Sequence, residues 1–429
     1  MRRRPGMKYF SGWVWLAGII VLLADEAGRA QSAGQLRSGP LVGYVGQGSA
    51  RIWVQTTAPA TVWVTARDTL GQERRSSVAR TVTDSVLVGQ VRLDSLRPGM
   101  RYDYRVWLNG SPLGLPRALH FRTPPAGPGG GDGFTLATGS CALVKDPYEA
   151  GQGYEIFASL ARQQPDLMLW LGDNVYLNEG EWADVTRRRY RYGHTRGLPQ
   201  LQPLLGSTAN VAIWDDHDFG PNNADRTEVV RREARETFDL FWANPPPARP
   251  EAGGLTTRLS WGDVDIFLLD NRSFRSPDQA PRRTRTQLGA DQIRWLLRGL
   301  RESRATFKLV ATGGQVLSTS RRGETMARHY NRERRALLDS LARYRIAGVV
   351  LLNGDRHFTE LSRLRRRRAP VLYELTVSPL TSGPAKPWGW NRHRVKGTVV
   401  RERNFATLRV GGEAGKRTLT ARVYSAGGE

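Results

Sequence analysis

Four short apolar runs, far apart in the chain, each end abruptly in residues that carry chemistry. Phe134 to Thr138 leads into Gly139, Ser140 and Cys141. Leu167 to Leu171 leads into Gly172-Asp173-Asn174-Val175-Tyr176. Val211 to Trp214 leads into Asp215-Asp216-His217-Asp218, with Gly220 and Pro221 breaking the chain behind. Val349 to Leu352 leads into Asn353-Gly354-Asp355-Arg356-His357. Each run reads as a buried strand. In an α/β sheet the carboxyl ends of neighbouring strands share a crevice, and ligands bind there. Such a fold brings the four segments to one place. Glycine beside the acids lets the backbone turn sharply and approach a ligand closely.

Charges gathered at strand ends cannot all be buried unpaired, because each would cost several kcal/mol. A metal ion would compensate them. The alternative for Asp215 to Asp218 alone is a solvated turn capping the next helix. Asp173, Asp216 and Asp355 offer hard oxygens, His357 an imidazole, Cys141 a soft thiolate and Tyr176 a phenolate. Asp173, at the sheet centre, is the natural bridge between two ions. Mixed ligands of this kind suit a two-metal site. Thiolate with phenolate favours a redox-capable metal such as iron, while the surplus carboxylates suit calcium or another hard ion. The matching chemistry is in-line displacement at phosphorus by an activated water. His217 would donate a proton to the leaving oxygen or a hydrogen bond to the phosphoryl group, and Asp218 would orient it.

The chain divides by pattern. Residues 36–125 alternate apolar and polar residues in short runs such as Ala50 to Gln55, Thr61 to Thr65 and Val86 to Val91, ending at His120-Phe121-Arg122. That predicts a fibronectin type III or immunoglobulin-like β-sandwich. Residues 126–133 are rich in glycine and read as a linker. From 134 to 429 strands alternate with helices. Helices are predicted at Tyr154–Gln163, Arg226–Trp242, Ala290–Ser303 and Glu324–Arg343. Further strands are predicted at Val264–Leu269, Phe307–Ala311, Val371–Val377, Asn404–Val410 and Leu419–Tyr424. Arg365 to Arg368 reads as a solvated hairpin tip.

At the N-terminus, Arg2, Arg3, Arg4 and Lys8 precede an apolar segment, Trp13 to Ala24, too short for a comfortable membrane span. With the small-residue site at Ala30, residues 1–30 read as a signal peptide and the protein as exported, periplasmic or secreted, with the twin-arginine route an option. The lone cysteine forbids an intramolecular disulfide. The net charge of +24 attracts anions, but its arginines are scattered.

Ser140-Cys141, Leu171 to Tyr176, Trp214 to Asp218 and Gly354-Asp355-Arg356-His357-Phe358 together resemble the alkaline phosphatase D (PhoD-like) branch of the calcineurin-like metallophosphoesterases. The resemblance extends over the β-rich segment in front. It implies a four-layer α/β/β/α core and a phosphomonoesterase or phosphodiesterase that uses iron and calcium. Carried over, Cys141, Asp173 and Tyr176 would hold iron, and Asp173, Asp216, Asp355 and His357 the second metal set. His217 matches the catalytic histidine. Where the wider superfamily commonly places a histidine ligand, this chain has Gln315, which would contact water or substrate.

The expected partner is a small phosphate ester, with no stable nucleic-acid complex, no permanent membrane span and a monomeric chain. The alternatives are a phosphodiesterase acting on a polymer or lipid, and a non-catalytic glycan-binding protein. His194, His329 and His393 have no matching motif partners in the sequence and are expected on the surface. His120 belongs to the β-rich segment. Asn222 and Asn223 are expected to cap the next helix. The loop Lys386 to Arg392 interleaves aromatic and basic residues; it would pack on the surface or grip an organic group at the mouth of the site.

Overall fold

Burial alternates along the N-terminal strands as their sequence does. In Arg101–Leu108, Tyr102, Tyr104, Val106 and Leu108 are buried while Arg101, Asp103 and Arg105 face solvent. The computed structural model describes residues 35–127, 133–249, 254–387, 389–413 and 415–429. The expected signal peptide, residues 128–132 of the expected linker, and Trp388 of the basic–aromatic loop lie outside them.

The N-terminal region holds nine strands: β1 Leu36–Val45, β2 Ala50–Thr56, β3 Ala60–Asp68, β4 Glu73–Arg75, β5 Ala79–Thr81, β6 Val88–Leu93, β7 Arg101–Leu108, β8 Ser111–Pro112 and β9 His120–Arg122. They form two antiparallel sheets. One has the order β1-β2-β6; the other has the order β4-β3-β7-β8, with β5 also on β3 and β9 also on β7.

The rest of the chain contributes β10 Phe134–Gly139, β11 Leu167–Leu171, β12 Ala209–Ile213, β13 Thr257–Trp261, β14 Val264–Leu268, β15 Phe307–Ala311, β16 Val349–Asn353, β17 Glu360–Leu364, β18 Leu372–Thr376, β19 Asn404–Gly411 and β20 Thr418–Ser425. One sheet runs β12-β11-β10-β19-β20, with β10, β11 and β12 parallel. The other runs β13-β14-β15-β16-β18-β17, with β14, β15, β16 and β18 parallel. One apolar cluster contains residues of both sheets, including Leu136, Leu169 and Ile213 with Ile266, Leu309 and Leu352. Helices cover the opposite faces. α1 Glu155–Arg162, α2 Val185–Arg196, α3 Gln202–Ser207, the short α4 Asp216–Phe219 and α5 Arg231–Phe241 belong to the first side. α6 Ala290–Glu302, α7 Met326–His329 and α8 Asn331–Arg343 belong to the second.

Two predicted helices are corrected. The helix expected from Arg226 begins only at Arg231, because Asp225 accepts the Thr227 amide at 2.9 Å and its hydroxyl at 2.7 Å, closing a turn instead. The helix expected from Glu324 to Arg343 is broken at Tyr330, where φ is −129° and the phenol donates to Ser276 O at 3.0 Å. Arg366 lies at the predicted hairpin tip between β17 and β18 and bonds Asp339 at 2.7 Å. Helix α2 was not anticipated. It is capped by Asp184, whose carboxylate accepts the Thr186 and Arg187 amides, and it buries Arg188, Tyr192 and Arg196.

The β-rich region docks directly on the α/β region. Tyr44 N donates to Ala243 O at 2.8 Å, and Trp53 Nε1 to Leu240 O at 2.9 Å. Gly43 lies so close to Ala243 that a Cβ would collide with it. None of the helices among the described residues is long and apolar enough to cross a membrane.

Candidate metal centre

The parallel strands β10, β11 and β12 end side by side in one sheet, and the end of β16 meets them from the other sheet, not from the same sheet edge. Gly354 is held at the junction of the two sheets: its amide donates to Gly313 O at 3.0 Å, and a Cβ there would collide with Ser140. Cys141 N donates to Gly172 O at 3.3 Å and Ala142 N to Asp173 O at 2.8 Å, tying the ends of β10 and β11 together.

Four of the candidate ligands take the left-handed backbone conformation. φ is +60° at Cys141, +51° at Asp173, +65° at Asp355 and +54° at His357. Such a conformation costs a non-glycine residue about 1–3 kcal/mol and persists only where the surroundings impose it. Here it turns each side chain out of its strand axis and into the shared crevice.

Among the described residues, two groups of three have ligand atoms within 4.8 Å of one another: Cys141, Asp173 and His357, and Asp173, Asp216 and His217. Asp173 belongs to both. Its Oδ2 accepts from Tyr176 Oη at 3.3 Å and lies 3.5 Å from Cys141 Sγ. Its Oδ1 accepts from His217 N at 3.3 Å. Tyr176 Oη is also 3.3 Å from His357 Nε2, and its ring stacks on His217 with centroids 4.3 Å apart. His357 Nδ1 lies 2.8 Å from Gly383 O. A carbonyl only accepts, so Nδ1 carries the proton and Nε2 keeps a free lone pair toward the crevice. Asp216 is held by Asn223 N at 2.7 Å and His217 N at 3.1 Å.

Asp355 stands at the end of β16 outside both groups, with its Oδ2 buried and without a hydrogen bond. Asp218 turns away from the crevice: its carboxylate accepts the amides of Asp215 at 3.0 Å and Asn174 at 3.1 Å, closing a capping box at α4. Its carboxylate shapes the turn that carries His217. Gln315 is also committed elsewhere, donating to Glu360 at 2.8 Å and Thr376 at 2.9 Å while buried. This replaces the expected contact with water or substrate. Asn223 does not cap α5, which starts eight residues later; its amide serves Asp216.

The electrostatics divide the acids: against the effect of burial, Arg272 holds the Asp216 carboxyl well below the ordinary range, while Asp173 and Asp355 go the other way. Burial, then Asp216, pushes the Asp173 carboxyl well above the ordinary range. Burial, then Glu324, raises Asp355 to about 8. Burial raises the Cys141 thiol to about 11 and lowers His217. Such shifts mark groups whose charged forms lack compensation. An orphaned Asp355 oxygen, a thiol, a phenol and a free imidazole nitrogen around a shared Asp173 fit a pair of cations, one on a mixed S/O/N side and one on an O/N side.

Motif reading missed the support behind these ligands. Arg272, fully buried, ion-pairs with Asp215, lies 3.6 Å from Asp216 and donates to Glu324 at 2.8 Å. Arg275 adds a second bond to Glu324 at 2.9 Å. Trp214 Nε1 donates to Asp270 at 2.8 Å. Asp270-Asn271-Arg272 follows the apolar run of β14, the same signature that exposed the other four segments. Arg188, of the unanticipated α2, holds the turn from behind through Asp218 O and Phe219 O, both at 3.2 Å. The three histidines expected on the surface are half-buried, each against a neighbouring side chain. His194 stacks on Tyr148 at 4.3 Å, His329 pairs with Asp278 at 3.2 Å, and His393 accepts from Arg392 at 3.3 Å.

A sequence profile of PhoD-like phosphatases matches residues 136–404, and one of a domain of unknown function, DUF7800, matches residues 33–125. Among solved structures, the chain is similar to PhoD with a TM-score of 0.74 and 18% identity, over 90% of this chain and 89% of that one. It is also similar to the purple acid phosphatase PPD1 from seeds of yellow lupin (Lupinus luteus), with a TM-score of 0.67 and 11% identity, over 90% of this chain and 72% of that one. These likenesses show a metallophosphoesterase-like α/β fold with a β-rich N-terminal region. No curated protein matches the sequence.

Proposed function

This chain belongs to the PhoD-like phosphatase family of metal-dependent phosphoric ester hydrolases, and from that premise we propose that it is an exported enzyme using iron and calcium on phosphate mono- or diesters. The observation that carries the reading is Asp173, shared between a Cys141–His357 side and an Asp216–His217 side. Iron would be held by Cys141, Asp173 and Tyr176, and His357, expected in the second metal set, stands with Cys141 and Asp173 instead and would join them. Calcium would be held by Asp173, Asp216 and Asp355. We further propose that 134–429 is a four-layer catalytic domain and 36–125 a fibronectin- or immunoglobulin-like sandwich. The apolar cluster shared by two sheets and flanked by helices supports the first, and the two antiparallel sheets support the second.

When bound, the metals supply an acidified water and neutralise the phosphoryl oxygens. The protein's own groups do the rest. Asp173 fixes the His217 backbone through its amide, and the Tyr176 ring fixes the imidazole plane. His217 is thereby placed to hydrogen-bond the phosphoryl group or to give the leaving oxygen a proton. Asp218 and Arg188 keep the turn that carries it in shape.

Elemental analysis of protein purified without chelator, wild type beside Cys141→Ala, tests this. Stoichiometric iron lost in the variant, with calcium present, supports the assignment. Release of p-nitrophenol from the mono- and the bis-p-nitrophenyl phosphate then separates monoester from diester preference. Failure to hold metal, even after refilling with iron and calcium, would overturn the reading.

A further inference from the structure

Arg356 sits in the chain between Asp355 and His357, and its side chain is only 8% exposed. Its N–H groups are nevertheless almost unanswered. Nη2 donates to Arg322 O at 3.4 Å, and Nε is buried without a partner. Nη1 lies 3.5 Å from Asp355 Oδ2, which itself makes no hydrogen bond, so the two side chains do not satisfy each other. Arg188 and Arg275 also bury an Nε without a partner, but their Nη groups are answered, by Asp218 O, Phe219 O and Trp182 O for Arg188 and by Glu324 and Asp278 for Arg275; Arg334 and Arg272 are answered at Nε as well.

The position of the Arg356 head is nonetheless fixed. It presses on the backbone of Gly323, where a Cβ would collide with Nη1, Nη2 and Cζ, and Cζ stands 5.6 Å from the Phe358 ring centroid. Gly323 has φ +69°, so the chain keeps a glycine where both the conformation and the guanidinium require one. A buried guanidinium with most of its N–H groups unanswered is costly unless an anion completes it. Its planar fork matches two oxygens of a phosphate, which the point charge of a lysine does not.

We propose that Arg356 binds the non-bridging oxygens of the substrate's phosphoryl group, and of the phosphate product, through the N–H groups of Nη1 and Nη2. The proposal rests on the hydrolase reading above and adds the residue that grips the ester. The test is calorimetric titration of inorganic phosphate into metal-loaded wild type, Arg356→Ala and Arg356→Lys, with metal content measured on each sample. Phosphate affinity falls about 10- to 100-fold in both variants at unchanged metal content. In p-nitrophenyl phosphate assays, added guanidinium ion restores part of the Arg356→Ala activity and none of the Arg356→Lys activity. Phosphate affinity within about twofold of wild type at full metal content would overturn the proposal. So would affinity that returns once lost metal is refilled, which would make Arg356 a prop for Asp355. Should the alanine variant fail to fold, the lysine variant, which keeps the charge and stem, decides. If wild type hydrolyses neither ester, the hydrolase reading fails, and the phosphate isotherms still judge Arg356.

Discussion

Arg272 and Asp215 lie 57 residues apart in the chain and form an ion pair with side chains 0% and 1% exposed. The pair joins the end of β12 to the end of β14, one from each sheet, directly behind Asp216. Removing one partner of a buried pair strands the other charge, and here Asp216 and Glu324 would lose the same cation. Arg272→Met should therefore lower stability by about 3–5 kcal/mol, read from urea denaturation. A loss below about 1 kcal/mol would mean that the pair is not what joins these strand ends.

Cys141 is buried, with Ser378 Oγ 3.1 Å from its sulfur, and burial raises its thiol from 9.0 to about 11. In metal-free folded protein it should react with iodoacetamide near pH 8 at least about 100-fold more slowly than in urea, from the loss of thiolate alone. Mass spectrometry of the alkylated chain measures this. Labelling at equal rates in both states would show that the sulfur is open to solvent.

Glu374 is buried on β18 and accepts the amides of Val316, Leu317 and Ser318. Burial outweighs those bonds and raises its carboxyl from 4.5 to about 7. The folded protein thus holds this proton more tightly than the unfolded chain. The group's stabilising contribution is complete below about pH 4.5 and is lost as pH rises through about 7, on the order of 2–3 kcal/mol. Glu374→Gln cannot ionise, so its stability relative to wild type should improve steadily across that window. Thermal melts of both proteins from pH 4.5 to 8 check this; a difference that does not change with pH would overturn it.

Because Trp53 and Tyr44 of the β-rich region bond directly to Leu240 and Ala243, heat should unfold both regions in one calorimetric transition. Gly43→Val, which puts side-chain atoms into the space held by Ala243, should split or broaden it. Two separate transitions in the wild type would show that the contact carries little energy.

The strand ends were legible because apolar runs end where their chemistry begins: β11 and β15 occupy the residues expected of them. The placing of His357 beside Tyr176 was not, since it depends on how the loop after β16 folds back on Gly383. Arg272 escaped because a lone arginine carries no motif, although the acid-bearing segment after β14 was there to be read. Helix α2 stayed hidden because it buries arginine and tyrosine where an amphipathic pattern would show leucine. Tyr330 broke a helix through a contact with Ser276, 54 residues away, that no local pattern could announce.

The left-handed conformations at Cys141, Asp173, Asp355 and His357 have a consequence for engineering. At each of these positions the replacement most comfortable for the main chain is glycine, which removes the ligand, or asparagine, which at Asp173 and Asp355 keeps one oxygen but loses the charge. A library selected for thermostability alone would be rewarded for erasing the centre, so every round needs a parallel screen for metal or turnover.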